Sequence, residues 1–368
     1  MTRTSNTHGV VAIGPFPPPL HGYSAATAFV VAQLRQAAPV EAVNVSPDTL
    51  VRDWRYHAQR AWRAARALTT LLRQAFGGRS LYFPIAGGAG IIYDLPLAAA
   101  ARALRYRIFI HHHSFAYINR RSRLSAVLFA LCGRRTTHIC LSPGMARRLS
   151  ELYAGIGRTF VLSNAAFVEP GSPPPMKNGA VRIGFLSNLI PEKGLDTAFA
   201  VIRSLREQDV NVVFVVAGPV VEADMQRLVD RIRGELGADF RYCGAVYGAE
   251  KADFFRDIDI FLFPTRYANE AQPIVVLEAL AVGVPVLATD RGAIADDVVP
   301  AGGAVYSDAD YVAKATRMIS AWANDRAGLA ALALATFEKA SRAHAAALED
   351  LANLVREMTA APPDGLAS

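Results

Sequence analysis

The chain has 368 residues and is 52% hydrophobic, enough apolar mass for two domains with separate cores and too much for a disordered polymer. Its net charge of +7 is unevenly spread. Residues 1–170 hold twenty arginines, no lysine and six carboxylates, a balance of +14, and the remainder holds 19 basic and 26 acidic residues, a balance of −7. Three scattered cysteines (Cys132, Cys140 and Cys243) argue against a disulfide framework or a zinc site, and no apolar run reaches the roughly 18–20 residues that span a bilayer. The polar start, Met1 to Gly9, reads as no secretory signal, so the expected compartment is the cytoplasm.

In chain order, Val10–Ile13 reads as a strand, followed by a proline-rich loop through His21-Gly22-Tyr23-Ser24 and a helix from Ala25 to Gln36. A strand at Val40–Val45 precedes a basic helical stretch from Asp53 to Phe76. Strands at Ser80–Pro84, Arg107–His111 and His138–Ser142 alternate with further helical stretches, the rhythm of a parallel doubly wound sheet. The proline cluster from Glu169 to Pro175 predicts a linker. A second series then runs through Val181–Leu186, Val212–Ala217, Phe240–Cys243, Ile258–Phe263 and Val284–Ala288, and ends in an Ala-rich helix from Asp325 to Met358. The expected division is 1–170, 171–335, a last helix 336–358 and a disordered tail 359–368.

The segment Asn269-Glu270-Ala271-Gln272-Pro273-Ile274-Val275-Val276-Leu277-Glu278-Ala279-Leu280-Ala281 places two carboxylates eight residues apart in apolar sequence. A charge in such surroundings is costly unless it has a partner. Pro273 suits a first helical position and Gly283 the position past a helix end, so Glu270 falls in a loop at a strand's carboxyl end and Glu278 on the next helix. That edge of an open parallel sheet is where ligands bind. The plain alternative is one surface and one capping glutamate.

This arrangement, continued by Glu-Ala-Leu-Ala-x-Gly-x-Pro-Val from Glu278 to Val286, resembles the Glu-x7-Glu signature of the family 4 retaining glycosyltransferases. The resemblance implies the α/β fold called GT-B: two Rossmann-like doubly wound domains facing a cleft, with a C-terminal helix crossing back to the first. It further implies that Glu270, with the loop Ala271-Gln272-Pro273-Ile274, lies against the donor sugar and that Glu278 binds the ribose of a UDP- or GDP-linked sugar. Lys193, in Asn188-Leu189-Ile190-Pro191-Glu192-Lys193-Gly194 before a helix, matches the residue that holds the diphosphate. Asn188 stands where the family usually has arginine, and Arg266 is a candidate replacement.

The loop at Gly22 and Tyr23 looks like the family's first glycine motif, which closes over donor phosphates and acceptor. The turn at Tyr242-Cys243-Gly244-Ala245-Val246 resembles the one whose backbone reads the base. Three consecutive histidines, His111 to His113, suggest a metal, yet neighbours on a strand face opposite ways, so only His111 and His113 share a side. The resemblance instead makes His113 the residue beside the donor sugar, with His111 next. Asp257-Ile258-Asp259 runs straight into an apolar strand and reads as structural, so no cofactor or obligatory metal is expected. The remaining readings are a sugar-nucleotide epimerase of the same fold and a non-catalytic relative.

On the acceptor side, Trp54 and Arg55 open a basic amphipathic helix in which Trp54, Ala58, Ala61, Ala65 and Leu68 share a face; Arg120 and Arg121 add a second basic cluster. No nucleic-acid-reading module accompanies this charge. The expected partners are a nucleotide-sugar donor, a lipid-linked or saccharide acceptor and an anionic membrane, met peripherally at its inner face in a bacterial polysaccharide pathway. A plain surface helix is the alternative.

Overall fold

A computed structural model describes residues 8–18, 22–47, 54–75, 79–85, 87–173, 179–220 and 222–361. The proline loop's residues 19–21, the helix ends expected at Asp53 and Phe76, and tail residues 362–368 lie outside the described residues. The chain divides into two units, residues 1–167 with 346–368, and residues 168–345.

In the first unit the elements alternate as β1 (Val10–Gly14), α1 (Gly22–Ala37), β2 (Val40–Asn44), α2 (Trp54–Arg73), β3 (Ser80–Ile85), α3 (Asp94–Ala103), β4 (Arg107–His112), α4 (Arg123–Cys132), β5 (Thr137–Cys140), α5 (Pro143–Leu152) and β6 (Arg158–Val161). The sheet is parallel in the order β2-β1-β3-β4-β5-β6. β1 and β3 are buried along their whole length, which is why they read as unbroken apolar runs rather than as alternating ones. Gly22, Tyr23 and Ser24, expected in a loop, form the first turn of α1: Thr27 Oγ1 donates to the Tyr23 carbonyl at 3.0 Å, and Ser24 is fully buried. The short edge strand β6 adds to the strands expected from sequence, and just past it Leu162 N bonds to Cys140 O at 2.8 Å.

The second unit runs β7 (Val181–Leu186), α6 (Leu195–Arg206), β8 (Val212–Ala217), α7 (Ala223–Leu236), β9 (Phe240–Tyr242), α8 (Gly248–Asp257), β10 (Ile260–Phe263), α9 (Ile274–Ala281), β11 (Val286–Thr289), α10 (Ile294–Ala301), β12 (Ala304–Tyr306) and α11 (Tyr311–Asn324). Its strand order is β12-β11-β10-β7-β8-β9, also parallel. Chain direction along the sheet reverses between β7 and β10, so the loops leaving those two strands diverge and open a crevice at their carboxyl ends. Apolar clusters pack on both faces, one around Phe185, Phe214 and Ile260, the other around Val215, Phe261 and Val286.

The last helix, α12 (Arg326–Thr359), belongs to the second unit up to Ala345 and to the first from Ala346. Ala347, Leu351, Leu354 and Met358 repeat at helical spacing and are buried. Its terminal carbonyls are capped by the first unit: Arg107 donates to Glu357 O at 3.0 Å and Ala360 O at 2.9 Å, and Ser80 Oγ donates to Met358 O at 2.6 Å. These bonds satisfy acceptors that a helix end leaves open and put a cation at its negative pole. Truncating Leu354, which is fully buried, should cost about 2–5 kcal/mol. Urea unfolding of Leu354→Ala, followed by hydrogen exchange in the first unit, checks this.

Candidate donor and histidine sites

The second unit's site is built from the two loops that leave β7 and β10. After β7 a single turn, Pro191–Lys193, ends at Gly194 in the left-handed region (φ 80°). A Cβ there would lie 2.1 Å from the Pro264 carbonyl oxygen, so only glycine allows the turn to press against the loop after β10. Arg266 N donates to Glu192 O at 2.7 Å and fixes the same approach. The result is a meeting of side chains across the switch point: Lys193 Nζ lies 2.5 Å from Glu270 Oε2, and both side chains are mostly buried. Thr265 Oγ1 donates to the same oxygen at 3.2 Å, and the Thr265 carbonyl is held by Thr289 Oγ1 at 2.6 Å. Phe263 and Tyr267 place aromatic rings 5.7 and 5.1 Å from the ammonium. Taking either partner away would strand a charge, at a cost of about 3–5 kcal/mol.

Behind Glu270 the loop rests on the turn after β11. Gly292 (φ 56°) lets that turn pass, since a Cβ would lie 2.3 Å from both the Glu270 and Ala271 carbonyls, and Ala293 N donates to Ala271 O at 2.7 Å. Gln272 Nε2 donates to both carboxylate oxygens of Asp297, at 2.9 and 3.0 Å. Pro273 is the residue before α9 rather than its first helical residue, and the helix begins at Ile274. Glu278 follows on α9, where Lys251 from α8 contacts its two carboxylate oxygens at 2.6 and 2.5 Å. Burial pushes the Glu278 carboxyl up from the ordinary glutamate value and Lys251 pulls it down.

Val246, Asn188 and Arg266 lie on the loops that follow β9, β7 and β10. Val246 follows the turn at Gly244, whose carbonyl accepts from Gly218 N at 2.7 Å. Asn188 lies in the loop leaving β7, exposed, with its carbonyl bonded to Ile190 N. Arg266, read in the sequence as a stand-in phosphate ligand, ties the two loops together: it donates to the Pro191 carbonyl at 2.6 Å, to Thr197 Oγ1 at 2.9 Å, and pairs with Asp196 at 2.9 Å. The Asp-x-Asp residues are held by arginines, Asp257 by Arg182 at 2.5 Å and by Arg241, and Asp259 by Arg326 at 3.6 Å. Sequence reasoning missed Lys251, Asp297 and Thr265. Lys251 alone carried a signal, as a cation one turn before the buried Phe254–Phe255 pair on its helix.

In the first unit β4 sorts its histidines by face. His111 and His113 stack at 4.0 Å on one side, with Tyr23 4.8 Å from His113 and Tyr82 Oη 2.7 Å from His111 Nδ1. His112 points the other way, 3.0 Å from His138 and 2.9 Å from Tyr117 Oη. Burial lowers His111 and His112, and pushes His138 down to about 4. Among the described residues no three His, Cys, Asp or Glu side chains gather as a metal ion would require. Trp54 and Trp62 on α2 are 73% and 67% exposed, while the helix buries Ala67 and Leu71, so the face that includes Trp54, Ala58, Ala61 and Ala65 is turned outward. Arg55, Arg120 and Arg121 are exposed as well. No described helix is long and apolar enough to cross a membrane.

Both units share this architecture with known enzymes. Residues 180–324 match the model of the family described as glycosyl transferases group 1. The protein has the GT-B glycosyltransferase fold. A GDP-mannose-dependent alpha-mannosyltransferase from Mycobacterium tuberculosis is 28% identical over 172 residues, which is 44% of this chain and 41% of that protein. The chain thus spans about two fifths of the length of this curated relative. Among solved structures, Anabaena HepE in complex with UDP and glucose superposes with a TM-score of 0.68 at 15% identity, covering 95% of this chain and 100% of that one. Sucrose-phosphate synthase from Thermosynechococcus elongatus gives 0.70 at 14% identity, covering 95% and 99%.

The buried titratable groups set opposite pH responses in the two units. A histidine lowered from 6.5 to about 4 takes up its proton more readily when unfolded, so His138 stability is complete above about pH 6.5 and falls below it, by about 2 kcal/mol at pH 5. Asp297, pushed up to about 7 by burial, works the other way: its ionisation weakens the second unit as pH rises from about 4 to 7. Hydrogen exchange at pH 7.5 and pH 5, corrected for intrinsic rates, should show the first unit opening more easily in acid and the loop at Gln272 opening less easily.

Proposed function

We propose that this protein is a retaining glycosyltransferase that moves a sugar from a UDP- or GDP-linked donor to a lipid-linked saccharide acceptor. The observation that carries this reading is the Lys193–Glu270 pair at the switch point, with Glu278 about one turn along the next helix. Lys193 would take the donor diphosphate, for which an ammonium beside a helix start is suited. Glu270 and the backbone amides at Ala271 to Ile274 would hold the sugar hydroxyls, and Glu278 the ribose diol. The turn at Val246 would meet the base. His113, stacked with His111 and Tyr23, would orient the sugar near the reacting bond, and Gly22 at the start of α1 would approach the phosphates closely.

The chemistry this arrangement serves is departure of a nucleoside diphosphate from the anomeric carbon. Charge grows on the leaving phosphate oxygen as that bond breaks, and fixed cations and N–H dipoles favour this state over the ground state. With Asp257 and Asp259 engaged by arginines, the reading needs no obligatory metal. The donor base is left between uracil and guanine, since a relative depends on GDP-mannose and a fold neighbour was solved with UDP.

The outward face of α2, with Trp54, Trp62 and Arg55, and the cluster Arg120–Arg121 would rest on an anionic membrane surface where such an acceptor resides, the inner face in a bacterial polysaccharide pathway. Sedimentation with phosphatidylglycerol vesicles should pull down the wild type, and W54S/W62S should stay in the supernatant. For the reaction itself, radiolabelled UDP- and GDP-sugars incubated with membrane lipid extract should label the lipid fraction with one donor. Glu270→Gln should lower that rate about 100-fold or more. Conversion of the donor alone into an epimeric nucleotide sugar would replace this reading with an epimerase.

A further inference from the structure

The cation at Glu278 lies outside the paired-glutamate motif. Lys251 sits in the first turn of α8, directly after the turn that ends at Val246, and Phe254 and Phe255 one turn on anchor that helix in the core. The lysine therefore leans inward and spans from α8 to α9, touching both carboxylate oxygens of Glu278 at 2.6 and 2.5 Å. Only about a quarter of each side chain remains accessible, 25% for Lys251 and 24% for Glu278. Glu278 is flanked on its helix by the buried Leu277 and Ala279, and its Oε2 is shut off from solvent with no hydrogen-bond partner.

We propose that Lys251 is a positioning residue that sets the donor site's requirement for a ribose diol. A carboxylate recognises a vicinal diol only as an acceptor, which demands that it be ionised and aimed. Two oxygens offer about four lone-pair directions, so one ammonium and two hydroxyls can be bound together. Lys251 supplies both conditions. It keeps the negative charge in a place where burial disfavours it, and its hydrogen bond to Oε1 aims the carboxylate, while Oε2 stays buried without a hydrogen-bond partner. Because α8 begins at the turn read as the base site, the same lysine links the position of the base to that of the ribose. Without it, Glu278 takes up a proton or turns toward water, and the site no longer separates a ribonucleotide from its 2′-deoxy counterpart.

This inference rests on the donor-site reading, and calorimetry on the full chain separates the two. UDP, GDP and their 2′-deoxy forms are titrated into wild type, Lys251→Met, Lys251→Arg and the double variant K251M/E278Q. Wild type is expected to favour one ribonucleotide over its 2′-deoxy form about 10- to 100-fold, as for a charged acceptor left without its donor. Lys251→Met should bind the two forms within about 3-fold of each other, and Lys251→Arg should recover most of the preference. The double variant, which leaves no unpaired charge and so guards against misfolding, should also bind both alike. A Lys251→Met protein that weakens equally toward both forms with its ratio intact, or that is unchanged, overturns the role of Lys251. A wild type that binds neither ribonucleotide overturns the donor site itself.

Discussion

The second unit's site depends on one contact, the ion pair between Lys193 and Glu270. Its partners come from strands that are neighbours in the sheet but 77 residues apart in sequence, and they meet only because the chain reverses its direction of travel between β7 and β10. Everything around the pair serves that meeting. Gly194 clears the Pro264 carbonyl, Arg266 ties the two loops, and Gly292 admits the turn that supports Glu270 from below. A buried ion pair contributes little net stability, since the desolvation of both charges offsets most of their attraction. Its value is specificity of placement: it holds a cation and a carboxylate in one small volume, ready to exchange partners with a charged ligand.

The second carboxylate is managed in the same way. Glu278 is matched by Lys251 as Glu270 is matched by Lys193. The polar centre of the first unit is rich in aromatic side chains. There Tyr82, His111, His113 and Tyr23 gather on one side of β4, and Tyr117, His112 and His138 on the other. Burial suppresses the histidine charges, which suits contact with a neutral sugar better than with a phosphate.

Much of this was legible in the sequence, for identifiable reasons. Buried parallel strands such as Val212–Ala217 and Ile260–Phe263 announce themselves as apolar runs, and Glu270 and Glu278 stand out because charge is rare in such company. The alternation of strand side chains was enough to pair His111 with His113 and exclude His112. The edge strands β6 and β12 escaped, because short strands covered on one side carry no distinctive pattern. Boundaries also escaped: α1 starts at Gly22, inside the stretch read as a loop. Lys251, Thr265 and Asp297 were invisible as site residues, since their partners lie 27, 5 and 25 residues away and only the fold brings each pair together. Arg266 was noticed, but its contacts with Pro191, Asp196 and Thr197 were not, because spacing alone does not show which loop a side chain meets.

The most direct test of the account is hydrogen exchange of the full chain with and without saturating UDP or GDP, read peptide by peptide. The account predicts that one nucleotide slows exchange in three segments together, 187–194, 244–251 and 264–278, as the ligand joins the loops that the two lysine–glutamate pairs now hold. Slowing confined to other segments, or none with either nucleotide, would contradict it.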